Sequence, residues 1–213
     1  MKAEDPYTIN QNSWDKNAEK YQEKFMDLKL YDSSYDLFCN LLNRADAQIL
    51  EIGCGPGNIA QYLLNKHPSL QVLATDVSPN MVHLAKKNNP KVVCRQLDAR
   101  DIGKLDETFD GIVAGFILPY LLEQDGCQFI KDCAYILNPK GLLYLSFVAG
   151  DNIKSSYISG SSGDQMYFSY YSKERVFKTL QELGLEILED ISATFSKDID
   201  KTEIHTIILA RKN

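Results

Sequence analysis

One glycine-rich turn places the strongest constraint on how this chain of 213 residues can fold. Residues 51–58 read Glu-Ile-Gly-Cys-Gly-Pro-Gly-Asn, between an apolar run at 49–52 and a helical pattern at 58–66. Glycine permits a tight turn and lets a ligand approach the backbone, because it carries no Cβ atom. The first N–H groups of a helix that follows such a turn can bind a ligand. The pattern therefore predicts a strand, a ligand-binding turn and a helix, in that order.

Short apolar runs and helical segments alternate over residues 49–145, which indicates repeated β-α-β units around a parallel sheet. The predicted strands are 49–52, 71–75, 92–96, 109–114 and 142–148, and the predicted helices are 58–66, 79–88 and 123–137. Ser78 is placed to cap the second helix. A helix from Ser172 stops before Gly184, and strands at 187–191 and 204–210 close the sheet as an antiparallel pair. We therefore predict an α/β fold with a three-layer, doubly wound and mostly parallel sheet.

Two segments do not follow this alternation. Residues 14–42 are helical and amphipathic, so we expect residues 1–42 to form an N-terminal helical lid on a domain at 43–213. Residues 150–171 are rich in Ser, Gly and Tyr and are predicted to form a long loop or lid. Loops of that length in a compact domain are often functional.

Composition narrows the class of protein. No apolar run approaches the roughly 20 residues that cross a bilayer, and the polar start lacks the apolar stretch of a secretory signal. We therefore expect no membrane span and a cytoplasmic location. The net charge is −6 and no dense basic run occurs, which disfavours a nucleic-acid partner. The five cysteines form no Cys-x-x-Cys pair and have no histidine at zinc-ligand spacing, so no metal site is expected.

Acidic residues at predicted strand ends indicate the kind of ligand. Asp76 ends the second strand, where a carboxylate can accept hydrogen bonds from two ribose hydroxyls. Glu51 and Asp98 add negative charge near the same edge of the sheet. Extra carboxylates would repel a pyrophosphate. S-adenosylmethionine (SAM), in contrast, carries an ammonium and a sulfonium and has no phosphate. The charges therefore favour a cationic nucleoside.

The glycine spacing leads to the same choice. A dinucleotide fingerprint is G-x-G-x-x-G, whereas this chain has G-x-G-x-G, with Asn58 where the last glycine would stand. These features alone do not separate NAD from SAM, so a NAD(P)-dependent oxidoreductase remains the alternative.

Five segments resemble, in order, the motifs of class I SAM-dependent methyltransferases, most closely the small-molecule members. The segments are 49–60, 76–77, 97–99, 109–121 and 137–147. The resemblance extends from Trp14 to the C-terminus. It implies strand order 3-2-1-4-5-7-6 with strand 7 antiparallel, and SAM as cofactor. It also implies methyl transfer by in-line displacement to an acceptor, a small molecule that the sequence does not identify.

The resemblance also implies roles for individual residues. The implied cofactor-binding residues are Tyr21, Glu51, Gly53, Gly55, Gly57, Asp76, Val77, Met81, Leu97, Asp98, Ala99, Ala114, Gly115 and Phe116. Among these, the glycines would hold the methionine portion, Asp76 the ribose and Asp98 the adenine amino group. Residues 114–116 would border the sulfonium and the acceptor. Tyr21 would close over the cofactor.

One departure from the family concerns the base. Many relatives carry a histidine shortly after the fourth strand, where this chain has Pro119 and Tyr120. Tyr120 and Tyr171 are therefore the candidate catalytic residues, acting by orienting the acceptor. The candidate substrate-binding residues are Tyr120, Tyr167, Tyr170 and Tyr171, so 150–171 would be an acceptor-side loop. The three histidines, His67, His83 and His205, are predicted to be surface or sheet residues. A catalytically silent SAM-binding protein is the second alternative.

Overall fold

The computed structural model describes residues 5–159, 163–198 and 201–213. The described helices are α1 Pro6–Lys16, α2 Ala18–Phe25, α3 Asp32–Leu41, α4 Asn58–Lys66, α5 Pro79–Asn88, α6 Glu123–Ile136 and α7 Lys173–Glu182. The described strands are β1 Gln48–Ile52, β2 Gln71–Asp76, β3 Val93–Gln96, β4 Phe109–Gly115, β5 Leu137–Val148, β6 Ser156–Ser159, β7 Gln165–Phe168, β8 Leu185–Asp198 and β9 Lys201–Lys212. Short 3-10 helices lie at Ala99–Lys104, Leu118–Tyr120 and Asn152–Lys154.

Seven strands form one sheet in the order β3-β2-β1-β4-β5-β9-β8. The first five are parallel to one another, and β9 runs antiparallel to both β5 and β8. This order confirms the predicted doubly wound sheet with its closing antiparallel pair. Because β9 runs in the opposite direction, its first residues lie at the edge where the parallel strands end: His205 pairs with Val148.

Helices cover both faces of the sheet. On one face, α3, α4 and α5 pack against the strands through side chains such as Phe38, Leu63 and Ala85. On the other face, α6, α7 and residues 99–104 contribute side chains such as Phe129. Phe38 is fully buried in the core. Helix α3 is therefore part of the core, and the lid over residues 1–42 stays a prediction.

Helix α1 bridges two parts of the molecule. Asp15 accepts hydrogen bonds from the Ser78 hydroxyl (2.6 Å) and from the backbone N–H of Asn80 (2.9 Å). Asn10 donates to the carbonyl oxygen of Tyr167 (3.0 Å) and accepts from the N–H of the same residue (2.7 Å). These contacts hold α1 against both the start of α5 and strand β7.

Residues 150–171 are not a plain loop, which corrects the sequence prediction. Strands β6 and β7 pair antiparallel there, and the rings of Tyr157 and Tyr167 lie 5.2 Å apart in a T-shaped arrangement. Residues 160–162 lie outside the described residues. Each strand is only four residues long, too short for a periodic pattern, and β7 is fixed by its contacts with α1.

Strand lengths also differ from the sequence prediction. Strand β5 begins at Leu137, because residues 138–141 form an irregularity within the strand rather than a separate turn, and Lys140 there has φ +64°. Strands β8 and β9 are longer than the predicted 187–191 and 204–210 because they pair beyond the end of β5. Over the ranges described above, no helix has both the length and the apolar character that a membrane span requires.

Candidate functional site

The glycine loop, residues 53–57, joins β1 to α4 in a conformation that glycine favours. Gly53, Gly55 and Gly57 have φ values of +66°, +53° and +85°. A Cβ atom at Gly53 would overlap the side chain of Ile117, so the loop and the turn after β4 are in direct contact. The N–H of Cys54 donates to the carbonyl of Thr75 at 2.8 Å, which fixes the loop against the end of β2.

Asp76 connects this loop to the start of α5. Its Oδ2 accepts a hydrogen bond from the N–H of Gly55 (2.9 Å), and its Oδ1 accepts one from the N–H of Ser78 (2.9 Å). Burial raises the pKa of Asp76, and hydrogen bonds from backbone N–H groups oppose that rise. Each carboxylate oxygen can accept a second hydrogen bond. Asp76 can therefore hold the loop and still bind ribose hydroxyls.

Glu51 is an unusual residue for the interior, because it is ionisable. The side chain is fully buried, and its Oε2 accepts from the N–H of Ala60 at 3.1 Å. No donor among the described residues reaches its Oε1. Burial raises the pKa of Glu51 to about 8, and the nearby Asp76 carboxylate adds to the rise while the Ala60 hydrogen bond opposes it. A buried acceptor without a donor is costly, so this site fits a ligand that brings a positively charged donor.

Aromatic side chains of the N-terminal helices cover the glycine loop. A Cβ atom at Gly55 would lie 3.5 Å from Cε1 of Tyr21, so this ring faces the loop. Trp14 packs edge-on against Tyr21, with ring centroids 5.4 Å apart, and against Tyr120, at 5.2 Å. Burial raises the pKa of Tyr21 to about 12, and the charges of Asp76 and Glu51 contribute. We call Trp14, Tyr21 and Tyr120 the aromatic cover.

The predicted adenine side has well-defined partners. The carbonyl of Val77 accepts hydrogen bonds from the side-chain amides of Gln11 (3.3 Å) and Gln96 (3.0 Å). Met81 is buried, and its packing cluster includes Trp14 and Tyr21 of the aromatic cover. The predicted pocket residues Leu97 and Ala99 are half-buried and pack against the core.

Asp98 is already engaged by a neighbour. Its carboxylate accepts from the N–H of Arg100 at 2.9 Å and from the guanidinium of Arg100 at 2.6–3.1 Å. Burial opposes ionisation of Asp98, but these hydrogen bonds outweigh burial and hold its pKa below the ordinary value. The arginine in turn lies over the ring of Tyr7, 3.7 Å from the centroid. The adenine contact of Asp98 therefore stays a prediction.

The tyrosines predicted to bind the acceptor occupy different environments. Tyr120 belongs to the aromatic cover, and its ring lies 5.9 Å from that of Phe168, a residue that sequence reasoning did not select. Tyr167 and Tyr170 are half-buried in and beside the β6–β7 hairpin. Tyr171 is 3% exposed, and its hydroxyl donates to the carbonyl of Leu121 at 2.8 Å. Tyr171 is thus a core residue, which differs from its predicted role at the acceptor.

Sequence reasoning also missed a histidine. Phe116, directly after β4, has φ +57°, and its ring centroid lies 4.6 Å from that of His205. His205 is buried, and its Nδ1 lies 2.7 Å from the hydroxyl oxygen of Tyr31. The predicted antiparallel closing strand could have indicated this histidine, because the first residues of such a strand lie at the edge of the sheet where the parallel strands end. Within the described part of the chain, no group of three or more His, Cys, Asp or Glu residues could hold a metal ion.

The sheet order, the glycine loop after β1 and the acid at the end of β2 define the class of protein: a Rossmann-like, nucleoside-binding α/β protein. Residues 49–141 match the family described as a methyltransferase domain. This match covers 93 of the 213 residues. Magnesium protoporphyrin IX methyltransferase from Synechocystis PCC 6803, solved with bound SAM, has a TM-score of 0.75 over 100% of both chains at 15% identity, a likeness of fold.

Two curated relatives differ in the acceptors that their names state. A tRNA N(3)-methylcytidine methyltransferase of Schizosaccharomyces pombe is 27% identical over 165 residues, 73% of this chain and 66% of that protein. A malonyl-[acyl-carrier protein] O-methyltransferase of Priestia megaterium is 29% identical over 154 residues, 70% of this chain and 54% of that protein. The chain therefore spans between about half and two thirds of the length of these relatives.

Proposed function

We propose that the protein is a methyltransferase that binds SAM at the glycine loop and transfers its methyl group to a small-molecule acceptor. The observation that carries the proposal is the buried Glu51 carboxylate, one oxygen of which accepts no hydrogen bond from the described residues. It lies next to Asp76 and the turn that Gly53 begins. A ligand that carries both a ribose and an ammonium group matches this set of acceptors.

Each part of the cofactor has a matching group in the chain. Glu51 and the glycine loop would receive the amino-acid end, and the ribose hydroxyls would bind Asp76. Val77 and Met81 would border the adenine. The rings of Tyr21 and Trp14 would cover the ligand, since they already face Gly55 across the loop.

When bound, SAM supplies a methyl group activated by the sulfonium sulfur. The chain's own contribution is to bind, to align and to exclude water. Alignment of two reactants can supply roughly 7–11 kcal/mol of barrier reduction. The half-buried side chains of Phe116 and Tyr120 line the end of the site where the acceptor would enter, and the aromatic cover excludes water above it.

Electrostatics disfavour the dinucleotide alternative. A pyrophosphate near the glycine loop would lie close to both Glu51 and Asp76, and two buried carboxylates repel an anion. A neutral Glu51 would lower this repulsion and could donate its proton to a phosphate, so the charge of Asp76 then carries the argument.

The relative from Schizosaccharomyces pombe makes RNA an acceptor worth testing. Nucleic-acid enzymes use Lys and Arg to neutralise phosphates. This chain has 23 Lys and Arg against 29 Asp and Glu, so a small acceptor fits its charge better.

The test combines binding with turnover. Calorimetry measures binding of SAM, its product S-adenosylhomocysteine (SAH) and NADH, and transfer is followed with SAM labelled on the methyl group. Acceptor pools are bulk tRNA and a protein-free, RNase-treated metabolite extract. We expect SAM and SAH to bind, NADH not to bind, and label to enter the metabolite pool. Label in tRNA alone would contradict the small-molecule acceptor, and binding without turnover in either pool would favour a silent SAM-binding protein.

A further inference from the structure

His205 lies among aromatic rings at the ligand-binding edge of the sheet. Its ring stacks on Phe195, with centroids 5.1 Å apart and an interplanar angle of 17°, and it meets Phe116 edge-on at 4.6 Å. Phe25, next to Tyr21 on α2, approaches Phe195 at 6.3 Å. Flat apolar walls of this kind suit a planar ligand, because aromatic faces stack on one another.

This group of rings adjoins the place where the sulfur of the cofactor would lie. Phe116 begins the turn whose next residue, Ile117, contacts Gly53 of the glycine loop. The aromatic cover approaches from the other side, since Tyr21 packs on Phe25 with ring centroids 4.6 Å apart. His205 is therefore one ring away from the end of the cofactor site.

A chain of polar groups passes through the histidine. The hydroxyl of Tyr31 lies 2.7 Å from Nδ1 of His205, and Nε2 of His205 lies 3.6 Å from Oε2 of Glu203. Burial raises the pKa of the Tyr31 phenol well above its ordinary value, and the charge of Glu203 contributes, so the phenol stays neutral and can donate to Nδ1. The carboxylate on the far side stabilises a positive charge on the imidazole. This three-residue arrangement is suited to accepting a proton.

We propose that Tyr31, His205 and Glu203 receive the proton of the methyl acceptor, and that the acceptor is a planar molecule methylated on an aromatic hydroxyl. This inference rests on the proposed function, because it concerns the acceptor side of the same site.

The step balances as follows. A bond forms between the acceptor oxygen and the methyl carbon while the carbon–sulfur bond breaks, and the electron pair of that bond remains on sulfur to give neutral SAH. The acceptor proton passes to the oxygen of Tyr31 as Tyr31 gives its own proton to Nδ1 of His205. The imidazolium that results is paired with Glu203.

The chemistry of the acceptor follows from these groups. A carboxylate acceptor carries no proton to remove and would meet the negative charge of Glu203. A neutral aromatic hydroxyl stacks on Phe116 and Phe195 and becomes a better nucleophile as its proton leaves. An aromatic amine has the same shape, and the experiment separates the two.

The probe is 4-nitrophenol, whose ionised form absorbs visible light, added to the full chain saturated with SAH at a pH at which the free phenol is mostly protonated. SAH carries no methyl group to transfer, so the absorbance reports proton transfer alone. We expect the wild-type complex to bind the probe as phenolate. In H205Q the ratio of bound phenolate to bound phenol should fall at least about tenfold, which corresponds to one pKa unit. The dissociation constant of SAH should stay within about twofold, since a tenfold change is already 1.4 kcal/mol.

One further variant and a control keep the result interpretable. Y31F removes one oxygen and should also lower the phenolate fraction, and it serves if H205Q does not fold. H83Q changes an exposed histidine and should behave as the wild type. With only three histidines in the chain, the ring signal of residue 205 can be assigned in an NMR spectrum by its loss in H205Q, and it should move when the probe binds.

The outcomes distinguish this inference from the proposed function. Normal SAH binding without ionisation of the phenol, or equal ionisation in H205Q and the wild type, overturns the inference alone. Binding of 4-nitroaniline with no binding of the phenol overturns the acceptor class. Failure of the wild type to bind SAH overturns the proposed function and this inference with it.

Discussion

Asp76 combines two tasks in one side chain. Its two oxygens accept from the N–H groups of Gly55 and Ser78, so the same carboxylate fixes the glycine loop and the first turn of α5. A hydrogen bond to a charged group contributes about 1.5–3 kcal/mol. If Asp76 also binds the ribose as proposed, loop geometry and ligand recognition are coupled at a single residue.

We expect D76N to weaken SAH binding at least tenfold, about 1.4 kcal/mol. The carboxylate of Asp76 accepts hydrogen bonds through both oxygens, whereas the amide of asparagine would turn an NH₂ group toward at least one of the same donors. Calorimetry at a temperature well below the melting point of the variant measures this. D106N, at an exposed aspartate, is the matched control and should bind as the wild type. Unchanged affinity in D76N would contradict the assignment of Asp76 to the ribose.

Glu51 makes the stability of the ligand-free protein depend on pH. Its pKa is about 8 in the folded chain and about 4.3 in an unfolded one, so its protonated form is favoured by folding. The stability that this contributes is present at low pH and is lost as the pH rises through about 8. Between pH values equal to the unfolded and the folded pKa, about 4.3 and about 8, we expect the free energy of unfolding to fall by up to about 1.4 kcal/mol per pH unit.

Urea denaturation of the wild type and E51Q at pH 5, 6, 7 and 8 isolates this effect, because other groups cancel in the difference. The wild type should lose stability relative to E51Q as the pH rises. E23Q, at an exposed glutamate of α2, should follow the wild type. Parallel curves for the wild type and E51Q would mean that Glu51 is ionised in the folded chain over the whole range.

At the scale of elements, α1 acts as a strap across the cofactor site. Asp15 holds it to the start of α5 through Ser78 and Asn80, and Asn10 holds it to β7 through Tyr167. Trp14 of the same helix forms part of the aromatic cover. We therefore expect these contacts to break when the proposed site opens for exchange of cofactor.

We expect D15A to accelerate SAH dissociation roughly tenfold, because removal of one partner of a charged hydrogen bond costs about 1.5–3 kcal/mol and α1 then detaches more readily. Stopped-flow measurement of the fluorescence of Trp14, the only tryptophan, follows the release. E19Q on the exposed face of α2 is the control. An unchanged dissociation rate would show that release does not require α1 to move.

At the scale of the whole molecule, the cofactor should stabilise the folded chain. A ligand at a hundred times its dissociation constant adds about 2.7 kcal/mol to the free energy of unfolding. For a domain of this size, each kcal/mol raises the melting temperature by about 2–4 °C. We therefore expect SAH to raise Tm by roughly 5–11 °C, measured by calorimetry. NADH at the same concentration should leave Tm unchanged, and a larger shift with NADH would favour an oxidoreductase.

The sequence by itself determined the sheet and the position of the loop. The local signals are apolar runs of four to seven residues, Ser78 and Ser172 at helix starts, and the glycines at 53–57. Each depends on residues close together in the chain. The strand order, in contrast, was implied by the resemblance to class I SAM-dependent methyltransferases. Asp76 was predicted from its place at the end of a strand.

Only the tertiary structure decided the surroundings of the acceptor. His205 and Phe116 are far apart in the chain and meet because β9 runs antiparallel beside β5. Tyr171 was expected at the acceptor, yet its hydroxyl binds the carbonyl of Leu121 in the core, a contact that no local pattern encodes. Side chains that meet across separate elements depend on packing directions, and a linear sequence specifies those only through the complete fold.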